Sequence, residues 1–323
     1  MASEGSEMIR ILVPLDGSTL AEQAMGHALA ISNVFSAELL LLRVVTETAG
    51  TPRDCVDWQL QQRQATAYLH QVAERLRAVG VRVRASVDQG HPAEVITRFC
   101  RDQNVDLIVL CRFGHGGVTD FGRGSIAQKI VAGAPASVLL VGPTPNTDPA
   151  GLSVPYRRVL VPVDGTPSSE WAVSMGAMIA QPNNAELLMV HAVERPELPA
   201  RMPITQDIRE LSERMHSCIR GEALRRLGEL KAQLPANLNI TTKVLTTGDI
   251  AGALHATAEA ADADLIVLTA HSKPGEHNWR YGSVCESLLN HTMRPMLVFQ
   301  QYDAGTTNRY RNLYLAEPQA DVG

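Results

Sequence analysis

Ile11 to Ser18 reads ILVPLDGS, and Val159 to Thr166 reads VLVPVDGT, 148 positions later. Ala37-Glu-Leu-Leu40 returns at the same offset as Ala185-Glu-Leu-Leu188. Further on the offset is 158: Gly90 matches Gly248, Asp106 to Leu110 matches Asp264 to Leu268, and Gly124-Ser125 matches Gly282-Ser283. The change of offset from 148 to 158 places ten extra residues between Ala192 and Gly248. A repeat of this length is too long for a solenoid, whose units run to about 50 residues. The 323 residues also hold about two domains at a prior of roughly 150 residues each. We therefore expect tandem domains at 1–142 and 156–302, with a polar tail at 303–323. The linker 143–155 carries Pro143, Pro145, Pro149 and Pro155, which makes it stiff and extended.

Within each copy, apolar runs alternate with amphipathic segments. In copy one, strands are expected at Ile9–Leu15, Ala37–Val45, Val81–Val87, Asp106–Leu110 and Ser137–Val141. Helices are expected at Thr19–Ser32, Trp58–Val79, His91–Asp102 and Ser125–Ala132. Thr19 and Glu22 have the spacing of a capping box. In copy two, Thr166 is the expected cap and Pro167 the first helical residue, where a missing N–H costs nothing. Continuous apolar strands alternating with helices indicate an α/β fold: a parallel sheet covered by helices on both faces. Right-handed crossovers make it doubly wound. In such a sheet ligands bind at the carboxyl ends of the strands, where the winding direction switches. Strands 1 and 4 flank that point, so Pro14-Leu15-Asp16 and the loop after Leu110 are expected to meet.

That loop is the chemically suggestive stretch. It runs through Gly114, Gly116, Gly117, Gly122 and Gly124 into Ser125, where the next helix begins. Glycines let an anion approach the backbone, and a helix N-terminus offers unpaired N–H groups and a positive dipole end. Ser125 is also a good N-cap, so the same pattern serves a plain helix start. Arg112 and Arg123 flank the loop, either to offset phosphate charge or as solvated side chains. His115 reads as a surface residue. Asp16 with Gly17 and Ser18 forms a plausible turn whether or not a ligand sits there. Copy two has lost most of the glycine, with Thr269 and Ser272 in the front of its loop.

Composition narrows the classes. A net charge of −5 gives no reason to expect nucleic-acid binding. The opening MASEGSEMIR has no apolar core of a signal peptide, and the apolar stretch near Leu39 to Val45 is broken by Arg43 and too short for a bilayer. Neither secretion nor a membrane is expected. Five scattered cysteines without CxxC spacing fit reduced cytoplasmic thiols rather than a disulfide frame or a zinc site. Cys111 is expected to pack as a small apolar residue at the end of its strand. His271, His277 and His291 do not share a helix face, so no metal centre is expected. The basic segment Arg220 to Lys231 is interleaved with Glu222 and Glu229 and reads as a solvated helix face.

The Asp past strand 1, the glycine loop after strand 4 and the Gly-Ser helix start together resemble the universal stress protein family. The nucleotide-binding branch spaces Gly, two residues, Gly, nine residues, Gly and Ser or Thr. Copy one has Cys111, Gly114, Gly124 and Ser125 in that frame; copy two has Thr269, Ser272, Gly282 and Ser283. The resemblance covers about residues 8–142 and 156–300. It implies two tandem doubly wound domains, each a five-stranded parallel sheet in the order 3-2-1-4-5, commonly paired through strand 5. Pairing of the two copies through Ser137–Val141 and Met296–Gln300 is the corresponding expectation, with a homodimer of whole chains also compatible. It implies ATP or a related adenine nucleotide, with Mg as ATP's companion, and no catalytic turnover, slow hydrolysis aside. Carried over by position, Pro14, Leu15 and Asp16 would border the adenine, as would Val44 through its backbone. Gly114, Gly124, Ser125 and Ile126 would hold ribose and phosphates, and Cys111 stands where a ribose-contacting glycine usually sits. Asp164, Gly282 and Ser283 are the weaker counterparts in copy two. The implied role is an ATP-binding stress-response regulator with an unknown protein partner. The alternatives are an interaction scaffold without nucleotide and an ATP-using ligase or hydrolase. The ligase would need a Ser-Gly-Gly-x-Asp loop or a His-x-Gly-His pair, and the chain has neither.

Overall fold

A computed structural model describes residues 8–46, 55–114, 125–143, 154–194, 205–270 and 281–300. Its contacts divide the chain into two compact units. Unit 1 gathers the described residues up to Pro155 together with the segment from Pro295; unit 2 runs from Tyr156 to Arg294.

Unit 1 contains β1 (Arg10–Pro14), α1 (Thr19–Phe35), β2 (Glu38–Val45), α2 (Cys55–Ala78), β3 (Val83–Gln89), α3 (Pro92–Asp102), β4 (Leu107–Cys111), α4 (Ser125–Gly133) and β5 (Ser137–Val141). The strands lie in the order β3-β2-β1-β4-β5, all parallel. Their middles are apolar because both faces are covered: Ile11, Leu12, Val13 and every residue of β4 and β5 are buried. Each such side chain contributes roughly 1.5–3 kcal/mol by leaving water. β3 is the edge strand and is the more exposed for it: only Val83 is buried, and the consecutive Arg84 and Ala85, which point to opposite faces, are both exposed. Helix α1 packs on β1 and β4, α2 on β2 and β3, and α3 on α4 and β2.

Unit 2 repeats the pattern as β6 (Arg158–Val163), α5 (Pro167–Ala180), β7 (Glu186–Glu194), α6 (Gln206–Ala232), β8 (Ile240–Thr247), α7 (Ile250–Ala260), β9 (Leu265–Thr269) and α8 (Ser283–His291). Its parallel strands run β9-β6-β7-β8. The fifth strand of the second copy, β10 (Met296–Phe299), belongs to unit 1. There it pairs antiparallel with β5, Met296 opposite Leu140, Leu297 opposite Leu139 and Val298 opposite Val138. The edge that a parallel five-stranded sheet leaves open at β5 is thereby closed.

Two features of the repeat are structural. Asp106 is buried, and its Oδ2 accepts the Arg10 N–H at 2.9 Å, tying the start of β4 to the start of β1. Asp264 does the same for Arg157 and Arg158, each at 2.9 Å. The cap of α1 differs from the expected one. Ser18, not Thr19, is the N-cap, and its Oγ accepts the Ala21 N–H at 3.1 Å. Glu22 turns outward from the turn instead, accepting from the Tyr68 hydroxyl at 2.8 Å and pairing with Arg75 at 3.3 Å. In copy two Thr166 caps α5 and Pro167 follows at its first position.

Candidate functional site

Strand β1 ends at Pro14, which has no N–H to extend the ladder. Gly17 then takes φ +80, which glycine adopts without strain. Asp16 holds this reversal: its Oδ1 accepts the Ser18 N–H at 2.9 Å and the Ser18 hydroxyl at 2.6 Å. Unit 2 repeats it, with Gly165 at φ +80 and Asp164 Oδ1 accepting from Thr166 N at 2.9 Å and Thr166 Oγ1 at 2.6 Å. Both aspartates are turn builders first.

The loop after β4 comes to meet that turn. A Cβ on Gly114 would overlap Asp16 Oδ2, so the glycine is what lets the two segments touch. Leu15 is buried, its N–H bonded to the Leu42 carbonyl at 2.8 Å, while Pro14 and Val44 are half-buried at the strand ends beside it. Ser125 opens α4. Ile126 in its first turn is 45% exposed, so what it has to offer a ligand is its backbone N–H. Gly124, Arg123 and His115 lie outside the described residues, as do Ser272, His271 and His277.

Arg112 is neither a solvated flank nor a surface counter-charge. It is fully buried, and its backbone N–H donates to the Val141 carbonyl at 2.8 Å. Cys111 is buried in extended backbone as the last residue of β4. Burial pushes its thiol pKa up, and the nearby Asp16 carboxylate adds to the rise, so the group is a neutral thiol near pH 7.

One residue of the site went unread in the sequence. Arg43, on β2, lays its guanidinium where a Cβ on Gly17 would stand, and its Cζ lies 5.6 Å over the Tyr68 ring. It brings a cation to the turn that carries Asp16. The available signal was a lone charge inside the apolar run Glu38-Leu-Leu-Leu-Leu-Arg-Val-Val45. Its counterpart on β7 is His191. Burial depresses the pKa of that imidazole, with Asp164 pulling in the opposite direction, and its Nδ1 has no hydrogen-bond partner.

Unit 2 contains a cavity of about 370 Å³ at the carboxyl ends of β6, β7 and β9. Pro162, Val163, Asp164, Ala192, Thr269, Gly282 and Ser283 line it. By the repeat offsets these are the counterparts of Pro14, Leu15, Asp16, Val44, Cys111, Gly124 and Ser125. The remaining wall is largely apolar, with Ile250 and Leu254 from α7 and Leu268 from β9. The volume lies at the lower end of the ligand-pocket range of about 300–1,000 Å³. Gly282 caps α8, and its N–H is already bonded to the Ala270 carbonyl at 2.8 Å. Among the described residues no group of three or more His, Cys, Asp or Glu is placed to hold a metal. Nor is any of their helices long and apolar enough to cross a membrane.

A doubly wound α/β sheet with a small-molecule-sized cavity at its switch point, opened by a Gly-Ser helix start, defines a class of ligand-holding folds. Within that class, the model of the universal stress protein family matches residues 8–142 and 155–300, and the chain belongs to that family as a tandem of two such domains. A universal stress protein of Mycobacterium tuberculosis is 26% identical over 307 residues, covering 90% of this chain and 97% of the relative. A universal stress protein of Thermus aquaticus is 34% identical over 137 residues, covering 41% of this chain and 96% of its own. A solved structure of a functionally unknown protein from Pseudomonas aeruginosa matches with a TM-score of 0.66 at 18% identity, covering 96% of both chains. That likeness speaks for the fold alone.

Proposed function

We propose that this chain is a cytoplasmic stress-response regulator that binds ATP or a related adenine nucleotide and does not turn it over as an enzyme. The observation that carries this reading is the unit 2 cavity: the counterparts of seven candidate residues, scattered over 122 positions from Pro162 to Ser283, line one space. The domains are taken as 1–142 and 156–302. The stronger site is assigned to copy one, where Gly114 lets the loop after β4 meet Asp16 and the loop carries the glycines that copy two lacks. There Pro14, Leu15 and Val44 would flank the base. Gly114, Gly124, Ser125 and Ile126 would turn N–H groups towards ribose and phosphates, whose charge suits a helix N-terminus. Magnesium, if carried with ATP, would be held mainly by the phosphates, as is usual for that ion.

The cavity favours a second reading in part: copy two also takes a ligand, more weakly. Its helix start has one N–H committed to Ala270, and Thr269 puts a side chain on the wall. Each lost charge-assisted bond weakens binding by about 1.5–3 kcal/mol, or roughly tenfold or more. Acid extraction of the purified protein followed by nucleotide chromatography tests the reading. Bound ATP at up to one equivalent per chain, without ADP accumulating over hours, is expected. Steady ADP production would show an enzyme. An empty protein with no thermal shift on adding ATP would show a scaffold.

A further inference from the structure

Helix α6 buries only Ala223, Leu227 and Leu230, all from Ala223 onward. The residues from Gln206 to Glu222, about 25 Å of helix at 1.5 Å per residue, bury none. Yet this part is not polar all round. Leu211, Met215 and Ile219 are 67, 48 and 40% exposed. Spaced four apart, they form one stripe along the helix. At the repeat offset of 158, which pairs buried Ala223 and Leu227 with buried Ala65 and Leu69, the counterparts of Leu211, Met215 and Ile219 are the polar Arg53, Asp57 and Gln61, and Leu60 of α2 is 52% exposed. The stripe is therefore particular to α6.

We propose that this face pairs with the same face of a second copy of the chain, α6 against α6 in antiparallel orientation. The charges around the stripe select that partner. From Gln206 to Glu213 there are three acids, Asp207, Glu210 and Glu213, against Arg209. From Arg214 to Arg220 there are two arginines and no acid. A two-fold axis at Met215 lays each acidic half beside the other's basic half, whereas a parallel pair would set like beside like. The same axis puts Leu211 opposite Ile219 of the partner and Met215 opposite itself. This makes an isologous, self-complementary contact of the ridge-in-groove kind that antiparallel helices form. It is independent of the nucleotide reading.

Sedimentation velocity on the full chain at about 50 μM tests it, since a contact of this kind is expected in the micromolar range. Wild type should sediment as a dimer. Met215→Glu should weaken the dimer at least tenfold, and Leu60→Glu on α2 should leave it intact, with circular dichroism unchanged in both. In a Cys55→Ser, Cys218→Ser background, Met215→Cys should cross-link to a covalent dimer on mild oxidation, because the axis brings the two sulfurs together. A monomeric wild type overturns the proposal. So does a dimer that ignores Met215→Glu, or a Met215→Cys protein that stays uncross-linked.

Discussion

The two switch points share one turn and differ in what surrounds it. Asp16 and Asp164 accept the same pair of hydrogen bonds at the same distances, 2.9 and 2.6 Å, and both following glycines sit at φ +80. That identity spans a copy whose loop is rich in glycine and one whose loop is not. In both copies the aspartate shapes the turn, so a ligand would meet a carboxylate already fixed in place. The differences lie in the neighbours. Gly114 stands against Asp16 in copy one, and Arg43 covers Gly17. In copy two His191 replaces the arginine and nothing lies within 4 Å of a Cβ on Gly165. Ligand preference should therefore track the strand 4 loop and the side chain at Arg43 or His191, not the aspartate.

The sharpest break of this comparison is Gly114→Val. The branched side chain must push Asp16 aside and fill the approach to the loop. Nucleotide affinity of copy one should fall roughly 10–100-fold or more, the worth of one or two charge-assisted contacts. Calorimetry on a folded variant with wild-type affinity would remove the loop from the site. Asp164→Ala is the converse. The tight equivalent should change less than about twofold, since Asp164 builds only the turn of copy two; a large loss would move the stronger site to copy two.

Packing distinguishes the copies too. Gly176 in α5 stands where copy one has Ala28, and a Cβ there would lie 2.7 Å from Val161 Cγ2 and 3.2 Å from Leu187 Cδ1. Gly176→Ala should cost about 1–3 kcal/mol through overpacking, outweighing the gain of up to about 1 kcal/mol in helix propensity. Chemical denaturation would read it as a lower midpoint at unchanged slope. A stabilised variant would show that α5 can shift outward.

The smallest effect concerns pH. The His191 pKa is lowered by burial, so between that value and the ordinary imidazole range the unfolded chain binds more protons. Stability is then fully present above the unfolded pKa and is lost as pH falls through that window. Thermal melting at pH 7.5 and 5.5 should show a smaller drop for His191→Leu than for wild type. Equal drops would assign the acid sensitivity elsewhere.

Much of the fold was legible because buried parallel strands must be apolar throughout, and a repeat shows the same strand twice. The candidate site was legible only as positions, through the offsets that relate Asp16 to Asp164 and Ser125 to Ser283. Three features were not. Ser18 and Thr19 both offer a capping hydroxyl, and only the Asp16-Gly17 reversal, which leaves Ser18 extended at φ −81 and ψ 152, selects the first. Thr166 posed no such choice, since Pro167 fixes the helix start. Arg112 reads as surface because charged residues seldom lie fully buried, and no local pattern announces that its side chain is fully buried. Arg43 interrupts an apolar run, which marks it as unusual without saying which turn it reaches.

The placement of β10 in unit 1 has a consequence for synthesis. The strand that covers β5 is encoded at Met296–Phe299, behind all of unit 2. At elongation rates of about 5–20 residues per second, the edge of β5 waits roughly 8–30 s on the ribosome before its partner exists. During that interval the outer edge of β5, on the side away from β4, presents N–H and C=O groups without a strand partner, open to the same strand of a neighbouring nascent chain. Polysomes carrying this message would then favour exchanged strands, and a chain truncated after unit 2 would keep that adhesive edge for life.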